Sequence, residues 1–191
     1  MTLRALGALV AALSLTACPA PNEAEGLPAS PPTAALDWAQ FVCGAQPVLV
    51  KRCSYLACHG DPNHALRVYS PGKLRLAANN RNQRDEPLSP AEISANYHSA
   101  AGQVWPVTGH GAAVEPTDIP LLRKPLDAAF GGGEHHGVVI FPVPPHATLN
   151  DDPEWRALSD WALGKKAARP LSADCAALFD ALMLDPNGGP K

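Results

Sequence analysis

Two cysteines and a histidine near residue 55 carry the most distinctive chemistry of the sequence. Residues 53–60 read Cys-Ser-Tyr-Leu-Ala-Cys-His-Gly, so four residues separate Cys53 from Cys58, and His59 follows at once. A cysteine followed directly by histidine is typical of covalent haem attachment, in which two thiols bond to the haem vinyl groups and the histidine binds the iron. A two-residue gap is usual, but wider gaps are known. The pattern predicts one covalent haem c held by Cys53, Cys58 and His59.

Two other interpretations of these residues stay open at the level of sequence. Cys53 and Cys58 could form a local disulfide, with His59 at the surface. They could also bind zinc together with two further ligands, although the gap is at the wide end for such a site and adjacent Cys58 and His59 chelate one ion poorly.

Composition limits the class of protein. The chain has 191 residues, 15 basic and 18 acidic side chains, a formal net charge of −3, 21 prolines and five cysteines. This charge balance excludes a nucleic-acid binder that works through bulk positive charge. A hydrophobic fraction of 46% argues against disorder throughout. The numbers predict one domain, with a small core wrapped in Pro-rich loops.

The N-terminus has the pattern of an export signal. Arg4 precedes an uncharged apolar run, and residues 15–18 read Leu-Thr-Ala-Cys, which is similar to the cleavage site of bacterial lipoproteins. We therefore expect a signal peptide at residues 1–17, a lipidated Cys18, a Pro-rich linker at 18–34 and a domain at 35–185. The protein would be lipid-anchored in the bacterial cell envelope; an ordinary secretory peptide cut elsewhere is the alternative.

Periodicity predicts a mostly α-helical domain with long Pro- and Gly-rich loops. We expect helices over residues 37–53, from Ser89, from Asp152 and over 172–184, with Pro47 breaking or kinking the first of them. Residues 60–88 are predicted to be loop, and strand signals are weak except at 138–143.

Several short segments resemble the cytochrome c-like domains of planctomycete type. They are Gln46-Pro47-Val48-Leu49, Cys58-His59-Gly60, residues 120–126, residues 132–141 with His136-Gly137, and the aromatic-x-x-Leu-x-x-Trp-x-x-Gly pattern of residues 155–164. Together they cover residues 38–165 in the order of that family. Departures are the wide cysteine gap and Val138-Val139, where glycines are usual. The resemblance implies a small cytochrome c-like helical fold with one haem, acting as a one-electron carrier.

The resemblance also bears on the second axial ligand of the iron. The family's His-Gly matches His136-Gly137, and the glycines before it let the backbone approach a flat cofactor, so we expect His136 to be this ligand. Met183, the other candidate, is more typical of core packing. His64 and His98 are expected in surface or loop positions. Glu134 beside His135 is the only hint of an enzyme such as a peroxidase, so an electron-transfer protein with a redox partner of unknown identity is favoured.

The remaining cysteines fit an exported protein. With Cys18 assigned to lipid and Cys53 and Cys58 to haem, Cys43 and Cys175 remain, and we expect them to form a disulfide between the first helix and the last. The main alternative for the whole chain is a haem-free structural or binding lipoprotein with a Cys53–Cys58 disulfide.

Overall fold

The computed structural model describes residues 36–76, 85–104, 115–133, 135, 139–141 and 148–189. Within these ranges the chain is mostly helical and has no strand, which confirms the mostly α class. None of the described helices has the length and apolar character needed to cross a membrane. The predicted signal peptide, Cys18 and the predicted linker lie outside the described residues.

The first helical run alternates between α and π geometry. Its segments are Trp38–Gln40 (α), Phe41–Ala45 (π), Gln46–Val48 (α) and Leu49–Cys53 (π). Of the predicted break or kink at Pro47, the break is wrong. The π segment before Pro47 moves the hydrogen bonds to a spacing of five residues, and the Gln46 N–H donates to the Phe41 carbonyl. Pro47 then lies in the first turn of the next α segment, where its missing N–H costs little.

The longer helices begin where local capping predicts. The Pro90–Ala101 helix starts with a capping box in which Ser89 Oγ accepts from the Glu92 N–H and the Glu92 carboxylate accepts from the Ser89 N–H. The Pro153–Ala162 helix is capped by the Asp152 side chain. The last helix is Ala173–Ala181. Shorter helical turns are Pro116–Asp118, Pro120–Arg123, Ala128–Phe130 and Leu149–Asp151.

The strand expected near residue 140 is absent from its described part. Residues 139–141 are irregular, and the N–H groups of Ile140 and Phe141 both donate to the Pro125 carbonyl, at 3.1 and 3.4 Å. A strand needs a partner with alternating donors and acceptors, whereas here one carbonyl takes both bonds. The prediction is therefore wrong for these three residues.

An aromatic cluster forms the centre of the helical core. Phe41 is fully buried, and its ring centre lies 5.2 Å from that of Tyr97 and 5.0 Å from that of Trp161. Trp38 packs on the edge of Tyr97 at 5.4 Å. The Pro153–Ala162 helix buries its predicted inward face: Trp155, Leu158, Trp161 and Ala162. These contacts join the first helical run to two later helices.

A disulfide closes this core. Cys43 in the first helical run and Cys175 in the last helix are bonded, with their Cα atoms 5.6 Å apart. The structure therefore contains the pairing that the cysteine count predicts.

The loop over residues 54–76 is attached to the Pro90–Ala101 helix by polar contacts. Asn96 is fully buried and clamps the Tyr69 backbone: Oδ1 accepts from its N–H at 2.6 Å, and Nδ2 donates to its carbonyl at 2.9 Å. Ser99 Oγ accepts from the Arg67 N–H at 2.7 Å. Arg75 donates to both carboxylate oxygens of Glu92, at 2.7 and 2.9 Å. As predicted, the described residues of 60–88 contain no helix or strand.

Candidate haem site

The segment from Cys53 to Gly60 is a compact turn that follows the first helical run. The N–H groups of Cys58 and Gly60 both donate to the Tyr55 carbonyl, at 2.8 and 2.9 Å, and the His59 N–H donates to the Cys53 carbonyl at 3.2 Å. A Cβ at position 60 would lie 2.4 Å from the Ser54 carbonyl oxygen. This close approach requires glycine, and it folds the four-residue gap back on itself.

The turn brings the three predicted site residues to one cavity. Cys53, Cys58 and His59 line a cavity of about 40 Å³ whose other walls include Leu121, Lys124 and His135. Leu66, Pro125 and Ile140 make it largely apolar. The wide gap between the cysteines therefore does not separate the two thiols from the histidine.

His59 is held by its ring nitrogen. Its Nδ1 lies 3.0 Å from the Leu66 carbonyl oxygen, which can only accept, so Nδ1 carries the proton. Burial lowers the pKa of His59, with the neighbouring His135, His64 and Lys124 acting in the same direction against the Leu66 hydrogen bond. The neutral imidazole with a proton on Nδ1 has its lone pair on Nε2. A hydrogen bond from the other ring nitrogen to a backbone carbonyl is the usual arrangement in metal-binding histidines.

Both site cysteines are free thiols. Burial raises the pKa of the Cys53 thiol to about 12, so this thiol is protonated. The neighbouring Cys58 adds a smaller increase, and the charge of Arg52 acts in the opposite direction.

No group of three or more His, Cys, Asp or Glu side chains in the described ranges is placed to hold a metal ion. The described residues thus supply no complete zinc site.

Lys73 supports the turn from outside. Its Nζ donates to Ser54 Oγ at 2.8 Å and lies 4.0 Å from the centre of the Tyr55 ring. Ser54 is fully buried and donates in turn to the Val50 carbonyl. The sequence did not indicate either Leu66 or Lys73. Leu66 contributes its backbone carbonyl, which every residue has, and Lys73 lies in a loop without periodicity.

Two other histidines lie near His59. The ring centre of His135 is 5.6 Å away and that of His64 is 5.9 Å away. His135 is partly buried and lines the cavity, whereas His64 is exposed, as predicted, and is not part of its wall. His136 and Glu134 lie outside the described residues. His98 is exposed, in agreement with the sequence.

Met183 lies neither in the core nor at the cavity. Its side chain is 91% exposed, and it is not among the residues of the cavity wall. The expectation that it packs in the core is wrong, because it lies just past the end of the last helix, in the left-handed region with a φ of 50°, and its side chain is in solvent.

Comparison with known proteins adds no relative. No family model matches the chain, and neither a curated protein nor a solved structure matches it.

Proposed function

We propose that this protein is a membrane-anchored, extracytoplasmic c-type cytochrome that carries one electron on a single covalent haem. The observation that supports this best is the arrangement of Cys53, Cys58 and His59, which share one largely apolar cavity. The Nδ1 hydrogen bond of His59 to the Leu66 carbonyl leaves the Nε2 lone pair for a metal. The resemblance to cytochrome c-like domains of planctomycete type points to the same chemistry.

The donor set fits a c-type haem. Each thiol would add across one vinyl group, so that sulfur forms a bond to one vinyl carbon and the thiol hydrogen passes to the other carbon. This addition needs free thiols and no oxidant, and both Cys53 and Cys58 are free. His59 would bind the iron through Nε2. Once bound, the haem would supply the one-electron couple.

The size of the cavity favours a second candidate. A volume of about 40 Å³ holds only a few water molecules, so a porphyrin needs the walls to move apart. The alternative is a haem-free binding or structural lipoprotein with the same helical fold. Both thiols are free in the structure, so this candidate requires a later oxidation that joins Cys53 to Cys58.

Haem staining on a denaturing gel separates the two candidates, because thioether bonds survive denaturation. Protein matured with a cytochrome c assembly system should give a stained band, and its pyridine haemochrome spectrum should show that the vinyl groups are saturated. Cys53→Ser with Cys58→Ser should remove the band. Cys43→Ser with Cys175→Ser, which also removes two cysteines, should keep it. No band in the wild type would favour the haem-free candidate, and a band in the first double variant would exclude attachment at these residues.

The lipid anchor is a separate proposal that rests on residues 15–18. Cys18 carrying several acyl chains would hold the protein firmly on a membrane surface. In detergent phase separation the wild type should enter the detergent phase, and Cys18→Ser should stay in the aqueous phase. Equal partition of the two proteins would contradict lipidation at Cys18.

A further inference from the structure

We propose that His135 is the second axial ligand of the iron, opposite His59; this inference rests on the haem function proposed above. Of the described residues with an imidazole, only these two line the cavity that Cys53 and Cys58 also reach. Their ring centres are 5.6 Å apart and their planes are tilted by 35°.

The separation of the two rings matches what a shared metal requires. A metal–imidazole nitrogen bond is about 2 Å long, so two imidazoles bound on opposite sides of one ion have ring centres about 6 Å apart. The observed 5.6 Å is close to this separation, so the two rings lie near enough to share one metal once the cavity opens. To admit the porphyrin itself, the cavity walls around the two rings would have to move further apart.

The backbone before His135 is fixed close to the cavity. The Gly133 N–H donates to the Arg123 carbonyl at 3.1 Å, and the Gly132 N–H donates to the Asp127 carbonyl at 3.0 Å. A Cβ on Gly132 would lie 2.0 Å from the Leu126 carbonyl oxygen, so only glycine permits this approach. These contacts tie the segment that leads to His135 to the turn that supplies Leu121, Lys124 and Pro125 to the cavity wall.

The other possible ligands are less well placed. His64 lies 5.9 Å from His59, but it belongs to the same loop, is exposed and does not line the cavity. Met183 is exposed outside the cavity wall. Lys124 is the one other described side chain of the wall with an amine nitrogen. His136, favoured by the family resemblance, is the adjacent alternative that the experiment must distinguish.

The test uses haem-loaded wild type and single variants whose haem staining is first shown to be retained. Two axial imidazoles should make the ferric iron of the wild type low-spin by electron paramagnetic resonance. His135→Ala should become high-spin and should return to low-spin on addition of imidazole. His64→Ala, the matched control outside the cavity wall, should remain low-spin. Loss of the low-spin signal in Lys124→Gln but not in His135→Ala would overturn the inference in favour of the amine.

A conservative variant covers the case in which His135→Ala disturbs folding. His135→Met should retain low-spin iron and raise the reduction potential, because methionine ligation favours the reduced state relative to histidine. An unchanged spectrum in His135→Ala, or a change to high spin in His136→Ala while His135→Ala stays low-spin, would overturn this inference and leave the haem function intact. A wild type without covalent haem would overturn both.

Discussion

The helical core and the loop over residues 54–76 are held in place by different kinds of contact. In the core, the rings of Trp38, Phe41, Tyr97 and Trp161 pack against one another, and a disulfide joins the first helical run to the last helix. In the loop only Leu66 and Val68 are buried apolar residues, and the attachment depends on hydrogen bonds to Asn96, Ser99 and Glu92.

The contacts that stabilise the fold are therefore concentrated in the core, whereas the candidate site lies on the loop. Buried apolar area stabilises without directional requirements, whereas each loop contact is a single hydrogen bond or ion pair of modest net free energy. A region held by few apolar contacts opens locally at lower free energy than the core. In the proposed cytochrome, the loop that carries Cys58 and His59 would therefore move to admit the porphyrin while the helices keep their packing.

Removing the disulfide should have the largest effect on the core. Cys43 and Cys175 are 132 residues apart, and closing a loop of this size is worth about 4–5 kcal/mol in the chain-entropy account. Cys43→Ala with Cys175→Ala should lower the free energy of unfolding by that amount in urea titrations. Cys53→Ser with Cys58→Ser in haem-free protein should change it by about 1 kcal/mol or less, because these residues are unbonded. Free thiols at 43 and 175 by mass mapping of the wild type would contradict the pairing.

Truncating the centre of the aromatic cluster should come next. Phe41 is fully buried between Tyr97 and Trp161, so Phe41→Ala leaves a cavity and should cost about 4 kcal/mol of unfolding free energy. Leu56→Ala, at a side chain that is 55% exposed, should cost less than about 0.5 kcal/mol. A loss below about 1 kcal/mol for Phe41→Ala would show that the aromatic cluster is not what stabilises the core.

Acid should weaken the attachment of the loop through Glu92. Burial alone would raise the pKa of Glu92, but hydrogen bonds from Arg75, Ser89 and the Leu76 N–H outweigh it and lower the pKa to about 2. A carboxylate with a lowered folded-state pKa stabilises fully above its unfolded-state pKa. This contribution, about 3 kcal/mol, is lost as the pH falls from about 4.5 through about 2.

Glu92→Gln should isolate this contribution from that of the other carboxylates. Urea titrations of the wild type and the variant should differ by about 3 kcal/mol at pH 6 and converge as the pH falls to about 2. The control is Glu86→Gln, at an exposed residue near the same arginine, which should differ from the wild type by less than about 0.5 kcal/mol. A difference between wild type and Glu92→Gln that is independent of pH would exclude this titration.

The smallest effect should be local. Lys73→Met removes the hydrogen bond to Ser54 and the contact with the Tyr55 ring, with a cost of about 1 kcal/mol. Amide hydrogen exchange in residues 54–60 should then rise roughly fivefold while exchange in the core helices stays the same. Lys165→Met, which loses only an exposed pair with Asp160, should change neither region. Equal acceleration in both regions would mean that loop and core open together.

The parts of the fold that depend on residues close together in the sequence were predictable. Ser89 with Glu92, and Asp152 before Pro153, start helices because their side chains cap N–H groups within one turn. The inward face of the Pro153–Ala162 helix follows from spacing alone. The π segments around Pro47 were not predictable, because their hydrogen-bond spacing depends on how the whole run packs against later helices.

The candidate site was predictable in its residue types and less so in its surroundings. Cys53, Cys58 and His59 are adjacent enough in sequence to be recognised together. The Leu66 carbonyl and the Asn96 clamp were not, because backbone acceptors are invisible in a sequence and the second contact joins residues 27 apart. His135 and His136 are neighbours of the same type, so only the course of the chain at the cavity can distinguish them.

The Cys43–Cys175 bond also determines what a protease can do to this chain. A single cut at any peptide bond between these residues produces two pieces that the sulfur–sulfur bond still joins. The piece with the first helical run and the piece with the last helix would therefore stay in one molecule, as in proteins that remain assembled after limited cleavage. On an electrophoresis gel such clipped protein would migrate as one band until a reductant is added, and a nick in a surface loop would not release the fragment that contains Cys53, Cys58 and His59.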